Sequence, residues 1–211
     1  MKYRNQQLII GYHGCDKSVR DYLLHNPFSI KMSESPYDWL GHGFYVWENN
    51  YERAMEWAID KHKKGLIQDP AVLGVVFQQH HCCDLLNNDD MQLLVDTYKA
   101  TLASYTIENV PLPQNLDAPG DPHKDKLLRY LDCTIIESMH KIVEGNRLAF
   151  DTMRCTFTEG APLFEGSAFR EKTHVQVCIR NPACIKGMFI PKSYYAHSSP
   201  PHMEDIQFAL S

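Results

Sequence analysis

The chain has 211 residues, of which 44% are hydrophobic and 22% are charged, and its formal net charge is −5 at pH 7. This length predicts one domain with a single core, and the composition is that of a folded protein and not of a disordered one. The negative charge argues against wrapping of a nucleic-acid backbone, because affinity for phosphate comes from Lys and Arg.

Seven cysteines without regular spacing do not indicate a disulfide framework, and they favour reduced thiols in a cytoplasmic protein. The apolar run Leu8–Ile10 is too short for a signal peptide. No stretch approaches the ~20 apolar residues that a membrane-spanning helix needs. We therefore expect a cytoplasmic protein that does not act at a membrane.

The N-terminal third is predicted to alternate strands and helices: strand Leu8–Tyr12, a helix that starts at Asp16 or Ser18, strand Gly41–Trp47, and a helix from Tyr51 to about Lys64. Asp, Ser and Asn side chains precede both helices as N-cap residues, and Gly65 is placed to end the second. In the second strand, Tyr45 and Trp47 share one face and the alternate residues share the other.

The middle third is predicted to be a helical insertion, about residues 84–146, carried by the β core of a single domain. Its helices, Leu85–Tyr105 and Lys124–Ile142, flank the proline-rich loop 111–122. The C-terminal third is predicted to contain strands at Arg147–Thr158, Thr173–Arg180 and Ile185–Ile190, a long loop at 159–172 and a final segment at Ile206–Leu210. Helices and strands mixed in one unit indicate the α/β (α+β) class.

Three short stretches carry the residues suited to chemistry: Tyr12–Cys15, Gly41–Val46 and His174–Ile179. Gly41 and Gly43 let the backbone turn tightly and approach a ligand, and Tyr45 follows at the mouth of a strand as a candidate stacking platform. Gln176 stands out because its strand is apolar and a buried amide needs partners. His174 lies two residues earlier and shares its face. For each position an ordinary structural role is the alternative.

Together, the sequences Tyr-His-Gly-Cys, Gly-His-Gly-Phe-Tyr-Val with the helical segment Ala54–Ala58, and His-Val-Gln-Val-Cys-Ile resemble the ADP-ribosyltransferase superfamily. They are most similar to its His-Tyr-Glu branch, the diphtheria-toxin-like and poly-ADP-ribose-polymerase-like enzymes, in a bacterial variant with Gln at the third position. The resemblance covers the first sixty-odd residues and about Arg154–Pro191. It implies a split mixed β-sheet and NAD+ as co-substrate.

The resemblance also implies how NAD+ is bound. His13 would hydrogen-bond the adenosine-side ribose, and the backbone of Gly14 would hold the nicotinamide carboxamide. Tyr45 would stack on the nicotinamide ring, and Gly43 and Trp57 would complete the binding residues.

Catalysis would involve Gln176, His174 and the loop 159–172. By the resemblance, Gln176 contacts the nicotinamide-side ribose, His174 faces the incoming nucleophile, and the loop recognises the acceptor. Cleavage of the glycosidic bond builds a cation, which an amide stabilises less well than a carboxylate does. Glu171 is the candidate for a compensating carboxylate, with a solvated loop residue as the alternative. An imidazole with an unperturbed pKa of ~6.5 would suit His174 to act as a general base.

The resemblance therefore implies transfer of one ADP-ribose from NAD+ to a macromolecular acceptor, as a bacterial or phage toxin or defence effector. The acidic net charge favours a protein acceptor over a nucleic acid, and an antitoxin or inhibitor protein is a further expected partner. NAD+ hydrolysis is the alternative within enzymes. A catalytically silent module that binds ADP-ribose or a partner protein is the alternative outside them.

Two other stretches carry residue types that are found in metal sites or nucleophilic sites. His80–Cys83 collects zinc-type ligands, but adjacent strand residues point in opposite directions and the spaced pairs of a zinc site are missing. No metal site is therefore predicted. Cys15 lies close to His13, but its expected orientation away from that imidazole argues against a nucleophilic cysteine.

Overall fold

The computed structural model describes residues 5–145 and 149–192, and in this part of the chain the fold is mixed α+β with one seven-stranded sheet and four α-helices. The strands are β1 (Asn5–Asp16), β2 (Phe44–Glu48), β3 (Pro70–His80), β4 (Cys82–Asp84), β5 (Thr152–Phe157), β6 (His174–Ile179) and β7 (Ile185–Phe189). The helices are α1 (Lys17–His25), α2 (Tyr51–Lys63), α3 (Asn88–Ile107) and α4 (Tyr130–Gly145), and a 3-10 turn spans Pro182–Cys184.

The sheet has the strand order β4-β5-β6-β2-β1-β3-β7, and only the β4–β5 pair is parallel. One residue, His81, separates β3 from β4, although these strands lie near opposite ends of that order. The sheet must therefore roll so that its two ends approach each other. The Thr152 hydroxyl on β5 donates to the Gln79 carbonyl on β3 at 2.8 Å, across this closure.

The central strand pair, β1 and β2, is joined over a short stretch. Its registered partners are Gly11 with Glu48 and Tyr12 with Trp47, whereas β1 stays paired with β3 as far as Asp16. After Tyr12, β1 and β2 separate. The seven-stranded sheet is continuous through these pairs, and beyond Tyr12 no pairing joins β1 to β2, which leaves a gap between the two strands at the C-terminal end of β1.

Side chains of the strands pack into cores on both faces of the sheet. The face covered by α1, here called the α1 face, buries Leu23, Phe44, Val46, Leu73, Val75, Phe77, Val177 and Ile179. The opposite face, here called the α2–α4 face, packs Trp47, Ala54 and Val72 under α2, and Tyr45, Ile136, Met139, Met153 and Cys178 under α4. The predicted alternation along β2 is confirmed, and α4, which lies within the predicted insertion, contributes to the core.

Most predicted elements are confirmed, including both N-caps: Asp16 accepts from the Ser18 amide at 2.9 Å and Asn50 from the Arg53 amide at 3.0 Å. The helix predicted from Lys124 begins only at Tyr130, because Lys124 and Lys126 have positive φ values that an α-helix does not allow. The strand predicted at Arg147–Thr158 begins at Thr152, while the strand predicted at Leu8–Tyr12 extends over Asn5–Asp16. Arg147 and the segment Ile206–Leu210 lie outside the described residues.

The predicted loop 159–172 is an ordered hairpin that extends β5 and β6. The Lys172 amide donates to the Glu159 carbonyl, the Glu171 amide to Ala161, and the Leu163 amide to Phe169. Within residues 5–145 and 149–192, no helix is both long and apolar enough to cross a bilayer. All seven cysteines lie within these residues, and none of them forms a disulfide bond.

Candidate active site

His13 lines a groove of about 570 Å³ on the α1 face of the sheet, at the gap between β1 and β2. Its ring packs against Phe44, with the ring centroids 4.4 Å apart, and its Nδ1 lies 2.8 Å from the Tyr45 carbonyl. A carbonyl only accepts, so Nδ1 carries the proton and Nε2 keeps its lone pair. Burial lowers the pKa of His13, which leaves the imidazole neutral at pH 7. The side chain thus offers one hydrogen-bond acceptor, Nε2.

The surface that lines this groove is mostly apolar. Its other lining residues are Ser18, Val19, Tyr22, Leu23, Ser29, Lys31, Met32, Ser33 and Phe44. The volume and the few polar groups are typical of a site for a nucleoside-sized ligand. Lys31 is the positively charged residue among those that line the groove. Sequence reasoning missed Lys31 because the loop before β2 carried no recognisable pattern.

The backbone of Gly14 faces the gap. The Asn49 amide donates to the Ile10 carbonyl at 3.0 Å, so Ile10 directs its peptide groups toward β2. Along a strand, the peptide groups of successive residues point alternately to the two neighbouring strands. Because β1 pairs with β3 without irregularity from Ile10 to Asp16, Gly14, four residues after Ile10, also points its N–H and C=O toward β2. There the strands have separated. A Cβ at Gly14 would overlap the Ala54 carbonyl of α2, so only glycine fits this position.

Tyr45 does not form an open stacking platform. Its side chain is packed in the core on the α2–α4 face, and burial raises its pKa well above 10. Its hydroxyl donates to the Gly41 carbonyl at 2.6 Å and accepts from the Leu40 amide at 2.8 Å. The predicted role is therefore corrected: the phenol holds the turn that leads into β2.

Gly43 also serves packing, because a Cβ there would meet the Cys178 sulfur on β6, and its peptide groups pair with Ser33. It does not line the groove of His13. Trp57 lies on α2, half-buried, where its ring would be 3.3 Å from a Cβ at Gly14. Lys61 covers the Trp57 ring at 5.0 Å. Of these two predicted cofactor residues, Trp57 alone lies at the gap.

Gln176 and His174 share the α2–α4 face, as predicted. In the sheet Gln176 lies between Trp47 on β2 and Cys155 on β5, and its exposure is 9%. His174 is 4% exposed, between the rings of Trp39, Trp47 and Phe157. It therefore does not face an open acceptor surface in this conformation.

The pKa expected for His174 was wrong, because burial lowers it to about 4, and the nearby guanidinium groups of Arg53 and Arg129 act in the same direction. His174 Nδ1 lies 2.8 Å from the Lys172 carbonyl, so Nδ1 is protonated and Nε2 is the free acceptor. Among the described residues, Nε2 has no hydrogen-bond partner. The imidazole is neutral at pH 7.

The carboxylate beside His174 is Glu159, and the predicted Glu171 lies elsewhere. Glu171 is exposed, and its side chain accepts from the Ala161 amide at 3.1 Å within the hairpin. Glu159 is buried, and its Oε1 lies 3.6 Å from both the His174 Nδ1 and the Arg53 guanidinium. Burial raises the pKa of Glu159, and Arg53 opposes that shift. Glu159 lies two residues after the end of β5, and only the pairing of β5 with β6 could have revealed its position beside His174.

The structure thus divides the predicted residues between two sides of the sheet. The His13 ring lies on the α1 face, and the Tyr45 and Gln176 side chains lie on the other. The three side chains do not surround one cavity. Gly14 stands between the two sides, with the His13 groove on one and Trp57 on the other.

The alternative sites have structural roles. His81 Nδ1 donates to the Ala149 carbonyl at 2.8 Å, and Cys83 is fully buried in the core. Residues 5–145 and 149–192 contain no group of three or more His, Cys, Asp or Glu side chains that could hold a metal ion. Cys15 is buried, and its pKa is raised to about 11, so it is a thiol at neutral pH.

Comparisons of the chain with models of protein families, with curated proteins and with solved structures found no match. The function of the chain is therefore inferred from its motifs and from the geometry of the gap.

Proposed function

We propose that the protein binds NAD+ across the gap between β1 and β2 and transfers its ADP-ribose to a macromolecular acceptor. The observation that carries the proposal is the backbone of Gly14, which points one donor and one acceptor into a gap beside the groove of His13. A carboxamide needs one acceptor and one donor side by side, which is what an unpaired strand residue offers. The end of the β1–β2 pairing at Tyr12 would correspond to the split of the sheet that the sequence resemblance implies.

The His13 groove would take the adenosine half. The neutral Nε2 of His13 accepts from a ribose hydroxyl, the Phe44 and Tyr22 rings supply apolar walls for a base, and Lys31 can meet a phosphate. Burial keeps His13 uncharged, which suits an acceptor of a hydroxyl hydrogen and excludes a role as a cation for the diphosphate.

The nicotinamide half would lie at Gly14, on the side of Trp57. Because the phenol of Tyr45 is committed to the turn at Gly41, the aromatic contact falls to Trp57 in this proposal. Gln176, next to Trp47 on the same face, can accept a hydrogen bond from the second ribose but adds no negative charge to the developing cation.

Purified protein incubated with NAD+ labelled in its adenylate phosphate, in the presence of cell extract, tests the proposal. We expect label on a macromolecule and stoichiometric release of nicotinamide, both reduced at least about tenfold by Gln176→Ala and by His13→Ala. The matched controls are Gln92→Ala on the exposed side of α3 and His62→Ala at the end of α2, which should match the wild type.

Free ADP-ribose as the only product would instead identify a hydrolase. Intact NAD+ after prolonged incubation would refute catalysis. The remaining alternative would then be a catalytically silent module that binds ADP-ribose or a partner protein. Activity that survives in both the Gln176 and the His13 variants would contradict the assigned site.

A further inference from the structure

Helix α3 leaves a row of apolar side chains exposed, although part of the face that it buries is polar. Its buried side chains are Asp90, Thr97 and Thr101, and Leu93 and Leu94 pack against the core beside them. Four further apolar side chains of α3 are 40–47% exposed: Met91, Val95, Tyr98 and Leu102. In α4, which packs against α3, most of the buried side chains are apolar. Packing among the described residues therefore does not account for the exposed apolar row.

The four exposed side chains form one narrow strip, here called the α3 stripe. They follow one another at spacings of four, three and four residues, which places them within an arc of about 60° on a helix of 3.6 residues per turn. Tyr105, half-buried, continues the series three residues after Leu102, so the row runs for about 20 Å along α3. Alternation of three and four residues is the a/d pattern of a helix that packs lengthwise against another helix. A contiguous row of this kind indicates an interaction surface, whereas single exposed apolar residues do not.

A row of polar side chains borders the stripe on the side away from the core. Gln92 Nε2 and Lys99 Nζ both donate to Asp96 Oδ1, each at 3.0 Å. The other border is the buried face of α3. A helix that lies on the stripe therefore meets apolar side chains along its centre and one charge of each sign at the outer border.

We propose that the α3 stripe is the interface of a homodimer, in which the α3 helices of two copies of this chain pack antiparallel. A two-fold interface presents the same patch from both copies and must be complementary to itself. A two-fold axis between residues 96 and 97 meets this requirement. It places Met91 opposite Leu102 of the second copy and Val95 opposite Tyr98 of the second copy, so each layer joins position a of one helix to position d of the other.

The charges at the border of the stripe favour a second copy as the partner and determine its orientation. In the antiparallel arrangement, Lys99 of each copy comes within reach of Asp96 of the other, because the two positions are offset by only about 3 Å along the helix axis. A parallel arrangement would instead place each charge beside its equal, Lys99 beside Lys99 and Asp96 beside Asp96. Antiparallel helices also bring opposite ends of their dipoles together.

The size of the stripe predicts a weak dimer. With 20 residues, α3 is about 30 Å long and 10–12 Å wide, so two α3 helices side by side cover roughly 300–360 Å² of projected surface on each copy. Stable interfaces bury about 800 Å² per partner, and we therefore expect a dissociation constant in the micromolar range. None of the residues that line the His13 groove or surround Gly14 belongs to α3. The dimer thus leaves the proposed NAD+ site open, and the inference does not depend on the proposed function.

Sedimentation equilibrium of the purified protein, from about 1 μM to about 1 mM, tests the association. We expect the average mass to rise from that of one chain to that of two. Val95→Glu would bury a charge in the dimer and should raise the dissociation constant at least about tenfold, with an unchanged circular dichroism spectrum. The matched control is Ile59→Glu on α2, where the side chain is 38% exposed and outside the stripe, and it should dimerise like the wild type.

Disulfide cross-linking tests the orientation. Met91→Cys and Leu102→Cys should form a cross-linked heterodimer when the two variants are mixed under mild oxidation, because a disulfide needs Cα atoms within about 7 Å. Each variant alone should not cross-link through its new thiol, since its two copies would lie about 16 Å apart along the helix axis. The wild type, with the same seven native cysteines, is the control, and mass spectrometry identifies the joined peptides.

Four results would overturn the proposal. A wild type that stays monomeric at about 1 mM would refute the dimer, and a dimer that Val95→Glu leaves unchanged would refute the role of the stripe. Cross-linking of Met91→Cys with itself would refute the antiparallel arrangement. A monomeric chain whose Val95→Cys thiol is shielded from alkylation only in cell extract would assign the stripe to a different protein.

Discussion

Replacement of Tyr45 by Phe tests whether the hydroxyl of Tyr45 has a structural role or a catalytic one. The substitution removes one oxygen that donates to the Gly41 carbonyl and accepts from the amide of Leu40, whose exposure is 1%. Loss of two buried hydrogen bonds should lower the free energy of unfolding by about 2–3 kcal/mol. For a chain of this length, that corresponds to a decrease in Tm of roughly 5–10 °C.

Urea unfolding followed by tryptophan fluorescence measures this change, and Tyr98→Phe on the half-exposed face of α3 is the matched control. The control should stay within about 0.5 kcal/mol of the wild type. Because the proposed aromatic contact with NAD+ is made by Trp57 and not by Tyr45, NAD+ binding by the folded Tyr45→Phe protein should match that of the wild type. Wild-type stability of Tyr45→Phe would refute the assignment of its hydroxyl to the turn.

Three further predictions concern stability. Gly14→Ala should destabilise the fold by about 3 kcal/mol or more in urea unfolding, because its Cβ would overlap a carbonyl of α2, whereas Gly187→Ala, with open space around it, should not. A double-mutant cycle of Glu137→Gln and Arg180→Met should give a coupling energy of about 1–3 kcal/mol, since the two side chains are 2.6 Å apart and shielded; additive effects would contradict this. Burial lowers the pKa of His140 to about 4, so only the unfolded chain takes up this proton as the pH falls from 6.5 to 4. Stability should therefore decrease over that range, less steeply in His140→Leu, and equal slopes would refute the assignment.

The sequence predicted the parts of the fold that depend on interactions between residues close together in the chain. Asp16 and Asn50 cap their helices because their side chains bond to amides two or three residues away. The sequence also assigned Tyr45 and Trp47 to a common face of β2, because side chains along a strand alternate between the two faces of the sheet. The predicted start of the helix at Lys124 was wrong because Lys124 and Lys126 adopt positive φ values. Nothing in the composition of this segment indicates those values.

The parts of the site that depend on distant pairing were not predictable. Whether His13 and Gln176 share a face depends on the registers of β1, β2 and β6, and these place the two side chains on opposite sides of the sheet. Glu159 reaches His174 only because β5 pairs with β6 in a particular register. Glu171, closer to Gln176 along the chain, points into the hairpin instead.

The central claim, that NAD+ spans the gap with its two halves on different sides of Gly14, is tested most directly by NMR titration of the free protein with each half. ADP-ribose should shift the signals of His13 and of the groove residue Lys31. Nicotinamide should shift the Gly14 amide and the Trp57 indole and leave Lys31 unchanged, and NAD+ should shift both sets. A Gly14 amide that does not respond to NAD+ or to nicotinamide would contradict the account.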